Sequence, residues 1–122
     1  MKPAPTTVLY ARILVGLNGL TWMGFGAVVL LGGHPAYAQS EDLRLSVAAA
    51  ALMVGAVLWT LAVELGRPRP ILYWATLGLL GAATIAAMFD TIGVADQAYA
   101  IVTGATLAVL LKDRAWHLQN AG

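Results

Sequence analysis

Four long apolar stretches alternate with short polar connections along the 122-residue chain: roughly Val8–Leu31, Leu43–Leu65, Ile71–Phe89 and Val94–Leu111. At 1.5 Å per helical residue, the first stretch alone would run about 36 Å, against a hydrocarbon core of ~30 Å. The connections read as helix stops and starts. Thr6 or Thr7 can cap the first helix, and Gly32, Gly33 and Pro35 end it. Ser40 can cap the second, with Glu41 and Asp42 in its first turn, where the helix dipole favours acids. "GRPRP" is a tight turn, and Pro70 suits the first turn of the third helix, where its missing N–H is not needed. Gly93 offers a stop for the third. The fourth stretch is the weakest: counted from Val94 it has 18 residues but includes Asp96 and Gln97, and counted from Ala98 it has 14. The pattern predicts an all-α, integral membrane four-helix bundle, a single transmembrane domain over residues 1–122.

Charge placement gives the predicted orientation. Lys2, Arg12, Arg67, Arg69, Lys112 and Arg114 fall on one side of the four stretches, with Glu64 and Asp113, for a net +4. Arg44 falls on the other side with Glu41, Asp42, Asp90 and Asp96, for −3, so the overall +1 conceals a strong asymmetry. Basic residues favour the cytoplasmic face, which predicts an N-in/C-in topology. Tyr10, Trp59, Tyr73, Trp74 and Trp116 near the inner boundary, with Tyr37 and Tyr99 near the outer, match the interfacial preference of amphipathic rings.

Composition narrows the class. The chain is 60% hydrophobic and only 11% charged, with a mean hydropathy of +0.77. A water-soluble domain of this size could not hide so much apolar surface, so the expected surroundings are a lipid bilayer, in a multi-pass protein of a prokaryotic cytoplasmic membrane. The absence of cysteine excludes disulfides and Cys-ligated clusters within this chain. No basic patch interleaved with aromatics occurs in a polar domain, which argues against nucleic-acid binding. The first 38 residues also resemble a secretory signal, with "HPAYA" before Gln39 as an A-x-A site. The apolar run after Arg12 is longer than the usual signal core, so retention is expected.

Helix association in lipid depends on close packing and hydrogen bonds. Small residues recur every four positions at Gly78, Ala82 and Ala86, at Ala100, Gly104 and Ala108, and at Ala51 and Gly55. The expectation is that the third and fourth helices pack tightly through these grooves; a dimerisation face is the alternative.

Few side chains are candidates for function. Asn18 is the strongly polar residue deep in the first stretch, where an amide must find partners. Thr21, Thr60 or Thr84 could meet it, and Trp22, one turn on, could wall a ligand pocket; the plainer reading is interhelical glue. Arg12 and Glu64 lie at similar depth and could form an ion pair, although Glu64 could equally choose Arg67, one turn away. Asp90 sits in the last turn of the third helix, where the dipole disfavours an acid, so Arg44, His34 or water should compensate it. Asp90 with Asp96 could mark an outer cation entry, or simply be hydrated interfacial acids. His34 and His117 lie on opposite sides and outside the apolar stretches, which argues against a bis-His haem or a metal site. No catalytic constellation and no cofactor is expected.

"ARILVGLNGLTWMGFG", "LGGHPAY" and "LLKDRAW" resemble segments of small, uncharacterised bacterial four-span membrane proteins, weakly DoxX-like. The resemblance implies a four-helix bundle and transfers no functional residue. The expected function is that of a non-catalytic accessory or assembly subunit, partnered by a membrane protein or by further copies of itself. The alternative is a small oligomeric transporter or lipophilic-ligand binder using Asn18, Trp22 and Asp90.

Overall fold

The computed structural model describes residues 3–33, 37, 39–88 and 94–118, and of residues 87–88 and 94–96 only the backbone. Among the described residues there are five helices: α1 (Thr6–Leu30), α2 (Glu41–Glu64), α3 (Pro70–Met88), α4 (Val94–Lys112) and α5 (Arg114–His117).

The all-α class holds, but the four-helix bundle is corrected to five helices. Asp113 (φ −94°, ψ 17°) leaves helical geometry after α4. Its carbonyl then accepts from the N–H groups of Trp116 (3.0 Å) and His117 (3.1 Å), which starts the extra turn α5. The four-span, N-in/C-in topology is corrected as well. Among the described residues, only α1 and α2 are both long and apolar enough to cross a membrane. Within α3 and α4 the described apolar stretches are Pro70–Ala86 and Gln97–Lys112, and neither counts as a candidate span.

The helix ends follow from local chemistry. At the end of α1, Gly32 adopts φ +78°, a left-handed conformation that costs a side-chain-bearing residue. Its N–H reaches the Val29 carbonyl (3.0 Å) and that of Gly33 reaches Val28 (2.9 Å). This paired closure is a Schellman motif, and it satisfies two orphan carbonyls. Ser40 caps α2 as expected, its Oγ accepting from the Leu43 N–H at 3.2 Å. Pro70 opens α3. Neither threonine caps α1; Pro5 takes that place without a side-chain bond, its carbonyl accepting from the Val8 N–H at 3.0 Å.

α1 and α2 form the most extensive pairing; α4 packs on α1, and α3 touches both α2 and α4. Glycine sets the α1–α2 distance. A Cβ on Gly19 would lie 2.8 Å from the Gly55 carbonyl oxygen, and one on Gly26 would lie 3.1 Å from that of Ala48. Backbones this close exchange dispersion over a long seam. The expected α3–α4 grooves do not pack in this way: a Cβ at Gly78, Gly81 or Gly104 would meet nothing within 4 Å. The core gathers Ala11 and Val15 from α1, Leu58 and Ala62 from α2, Leu65 just beyond its end, Tyr73 and Leu80 from α3, and Leu110 from α4.

Candidate functional site

Two groups of polar side chains stand out in the interior among the described residues. The first lies between α1 and α4. Asn18 and Trp22 are one turn apart on α1, and Tyr99 and Thr103 are one turn apart on α4, so each pair shares a helix face. The Asn18 Nδ2 donates to Thr103 Oγ1 at 3.0 Å, and the Tyr99 hydroxyl donates to Asn18 Oδ1 at 3.1 Å. The Trp22 Nε1–H in turn donates to the Tyr99 oxygen at 2.7 Å. Trp22 also meets Phe25 and Tyr99 edge to face, with centroids 6.0 and 6.1 Å apart.

Asn18 is only 2% exposed, and both ends of its amide are engaged. A ligand would have to displace bonds already made, at the full cost of an unmade buried bond for each one lost. Thr21, Thr60 and Thr84 are not its partners. Their hydroxyls donate to carbonyls four residues back in their own helices, at 2.9, 3.0 and 2.8 Å. The partners that sequence reasoning missed, Tyr99 and Thr103, carry one faint signal: two hydroxyl residues at helical spacing in an otherwise apolar run.

The second group lies at the opposite, basic end. Arg12 reaches across from α1 to α2, its Nε donating to the Ala62 carbonyl (2.9 Å) and its Nη2 to that of Val63 (3.2 Å). These bonds complete a set. The last four carbonyls of α2 lack intrahelical partners; Leu61 is taken by the Leu65 N–H and Glu64 by that of Arg67, and Arg12 takes the two between. A cation here also complements the negative end of the helix dipole. Glu64 lies 4.0 Å from Arg67, one turn away, while Arg12 is held by main-chain oxygen.

Beyond Arg12, His117 of α5 is completely buried. It stacks on Tyr73 with centroids 5.1 Å apart and meets Trp116 edge to face at 5.0 Å. Neither of its ring nitrogens has a hydrogen-bond partner, nor does the Tyr73 hydroxyl or the Asp113 Oδ2. Burial pushes the His117 pKa below its ordinary value, offset in part by the Asp113 carboxylate, so a neutral imidazole is favoured.

At the other end of α2, Arg44 lies over the glycine turn of α1: a Cβ on Gly32 would be 3.7 Å from its Nη1. Its Nε is buried without a hydrogen-bond partner. Asp90 and His34, and the side chain of Asp96, lie outside the described residues, so the proposed Arg44–Asp90 neutralisation and the outer cation entry do too. No group of three His, Cys, Asp or Glu side chains that could hold a metal occurs among the described residues.

Comparison of the chain with protein-family models, with curated proteins and with solved structures finds no match. The resemblance to four-span, DoxX-like proteins falls with the topology that carried it, since five helices and two candidate spans replace four spans.

Proposed function

We propose that the chain is a small non-catalytic membrane protein, held in a prokaryotic cytoplasmic membrane by the α1–α2 hairpin, that serves as an accessory or assembly subunit for other membrane proteins. The observation that carries this reading is the unburied apolar surface. Only a third of the most apolar window of α1, and of α2, is buried inside the chain. Large apolar side chains stand half exposed or more along the helices, among them Ile13 and Leu17 on α1, Met53 and Val63 on α2, Ile71 and Ile85 on α3, and Ile101 on α4. Monomeric soluble proteins do not leave surfaces of this kind to water. Lipid covers part of them, and partner helices cover the rest. The open faces at Gly78 and Gly104 suit such partners, because small residues let helix backbones approach.

The interior supports a structural rather than a chemical role. The Asn18 network bonds to itself, and Arg12 is engaged by main-chain carbonyls.

The test is fractionation followed by crosslinking of the tagged chain in native membranes. The chain should resist alkaline extraction and should crosslink reproducibly to one or a few membrane proteins, or to itself. Recovery in the soluble fraction would refute the membrane role, and a lone monomer in every crosslinking condition would refute the assembly role.

A further inference from the structure

An open groove of about 340 Å³ runs along the α1–α2 seam on its outer side. Its lining is almost wholly apolar. Gly16 lies at its base, where a Cβ would stand 3.6 Å from the Trp59 ring. Ile13, Leu17 and Leu20 flank it from α1, Trp59 faces them from α2, and Arg12 belongs to the same lining. A cation therefore sits in a channel otherwise suited to hydrocarbon.

Arg12 is held in place but not neutralised. It lies about 9 Å along α1 from the first residue, a depth at which an uncompensated charge is costly. Its two bonds are to neutral carbonyls of Ala62 and Val63, and no carboxylate pairs with it among the described residues. Glu64, the acid nearest in sequence to those carbonyls, lies 4.0 Å from Arg67. The bonds use Nε and Nη2 and leave Nη1 beside Gly66, where a Cβ would come within 3.1 Å of it. A guanidinium fixed in this way presents its remaining N–H groups in a planar fork, the geometry that matches phosphate.

We infer that this groove binds an anionic phospholipid, its phosphate on Arg12 and one acyl chain lying along Gly16 toward Leu20. The inference rests on the membrane reading above and deepens it by naming the lipid class that the hairpin selects. Basic pockets between membrane helices bind anionic headgroups in this manner. The apolar lining fits a chain of methylenes, and the fixed guanidinium supplies the countercharge site that a zwitterionic lipid satisfies less well.

Native mass spectrometry of the full chain, released from micelles containing equimolar phosphatidylglycerol and phosphatidylcholine, tests the inference. The wild type should retain phosphatidylglycerol over phosphatidylcholine by about fivefold, the ratio that one basic residue supplies. Arg12→Gln removes the guanidinium and its charge and should bring the ratio to about one. Leu17→Trp, at a half-exposed groove residue, keeps the charge but fills the channel, and should lower total retained lipid while the chain stays helical by circular dichroism. Equal retention of both lipids by the wild type overturns the inference, as does a phosphatidylglycerol preference that survives Arg12→Gln. If Arg12→Gln unfolds, the decision passes to Leu17→Trp: unchanged retention overturns the inference. A chain that resists alkaline extraction yet shows no preference leaves the membrane reading standing and removes only the lipid site; a chain found in the soluble fraction removes both.

Discussion

Gly55→Ala places one methyl group in the α1–α2 seam. Its Cβ would stand 2.6 Å from the Gly19 carbonyl oxygen and 2.9 Å from the Met23 backbone nitrogen, and would overlap the Met23 side chain. Comfortable heavy-atom contact begins at about 3.5 Å. The shortfall against the carbonyl is therefore roughly 0.9 Å. Two of the three crowded atoms are backbone, so no rotamer change relieves them, and α1 and α2 must move apart. Overpacking of this kind costs about 1–3 kcal/mol. Separation also stretches the neighbouring close approaches at Gly19 and Gly26. Against this, alanine gains ~1 kcal/mol over glycine in a helix interior. The net expectation is a loss of about 0–2 kcal/mol, which leaves Gly55→Ala about 1–3 kcal/mol below a variant that takes the propensity gain alone. Gly104→Ala is the internal control. A Cβ there meets nothing within 4 Å, so the propensity gain acts alone and the variant should match or exceed the wild type. Unfolding in mixed micelles with rising dodecyl sulfate, followed by far-ultraviolet circular dichroism, ranks the three proteins. If Gly55→Ala proves as stable as Gly104→Ala, the seam is not set by glycine and the reasoning fails.

Two further predictions address the buried polar groups. Asn18→Leu removes the acceptor of the Tyr99 hydroxyl and the donor to Thr103 and should cost about 1–3 kcal/mol; a double-mutant cycle of Asn18→Ala with Thr103→Ala should give a coupling of ~0.6 kcal/mol, and a zero value would show that the 3.0 Å bond is not formed. His117, with its pKa lowered by burial, binds fewer protons folded than unfolded below its ordinary value, so stability is full above about pH 6.5 and falls as the pH drops below it. His117→Phe should flatten that slope, and identical pH profiles for the two proteins would refute a buried neutral imidazole.

Much of the skeleton was legible because helix ends are local. Ser40, Gly32, Gly33 and Pro70 each act through their own backbone or that of a near neighbour, and each does in the structure what its position in the chain implies. Partner choice is not local. Small residues at four-residue spacing occur on α2, α3 and α4 alike, and nothing in a one-dimensional pattern says that Gly55 meets Gly19 while Gly78 and Gly104 stay open. Arg12 was legible as a cation needing compensation, but its acceptors are main-chain carbonyls, which every residue carries and no sequence motif marks. Asn18 was legible as a buried amide, whereas Tyr99 reads from the sequence as an interface aromatic. The fifth helix is a single turn after Asp113, too short for any periodicity to reveal.

The hairpin and the Asn18 network also differ in when the chain can make them. Arg12, Gly19, Gly55, Ala62 and Val63 have all been synthesised once residue 66 is joined, so the α1–α2 unit can close early. Asn18 must then wait for Tyr99 and Thr103, made more than thirty residues later. Until α4 arrives, the closed hairpin carries an amide whose partners do not yet exist, exposed on the face that α4 will cover. A hairpin that has not yet received α4 therefore carries a polar group without its partners, and the finished protein does not.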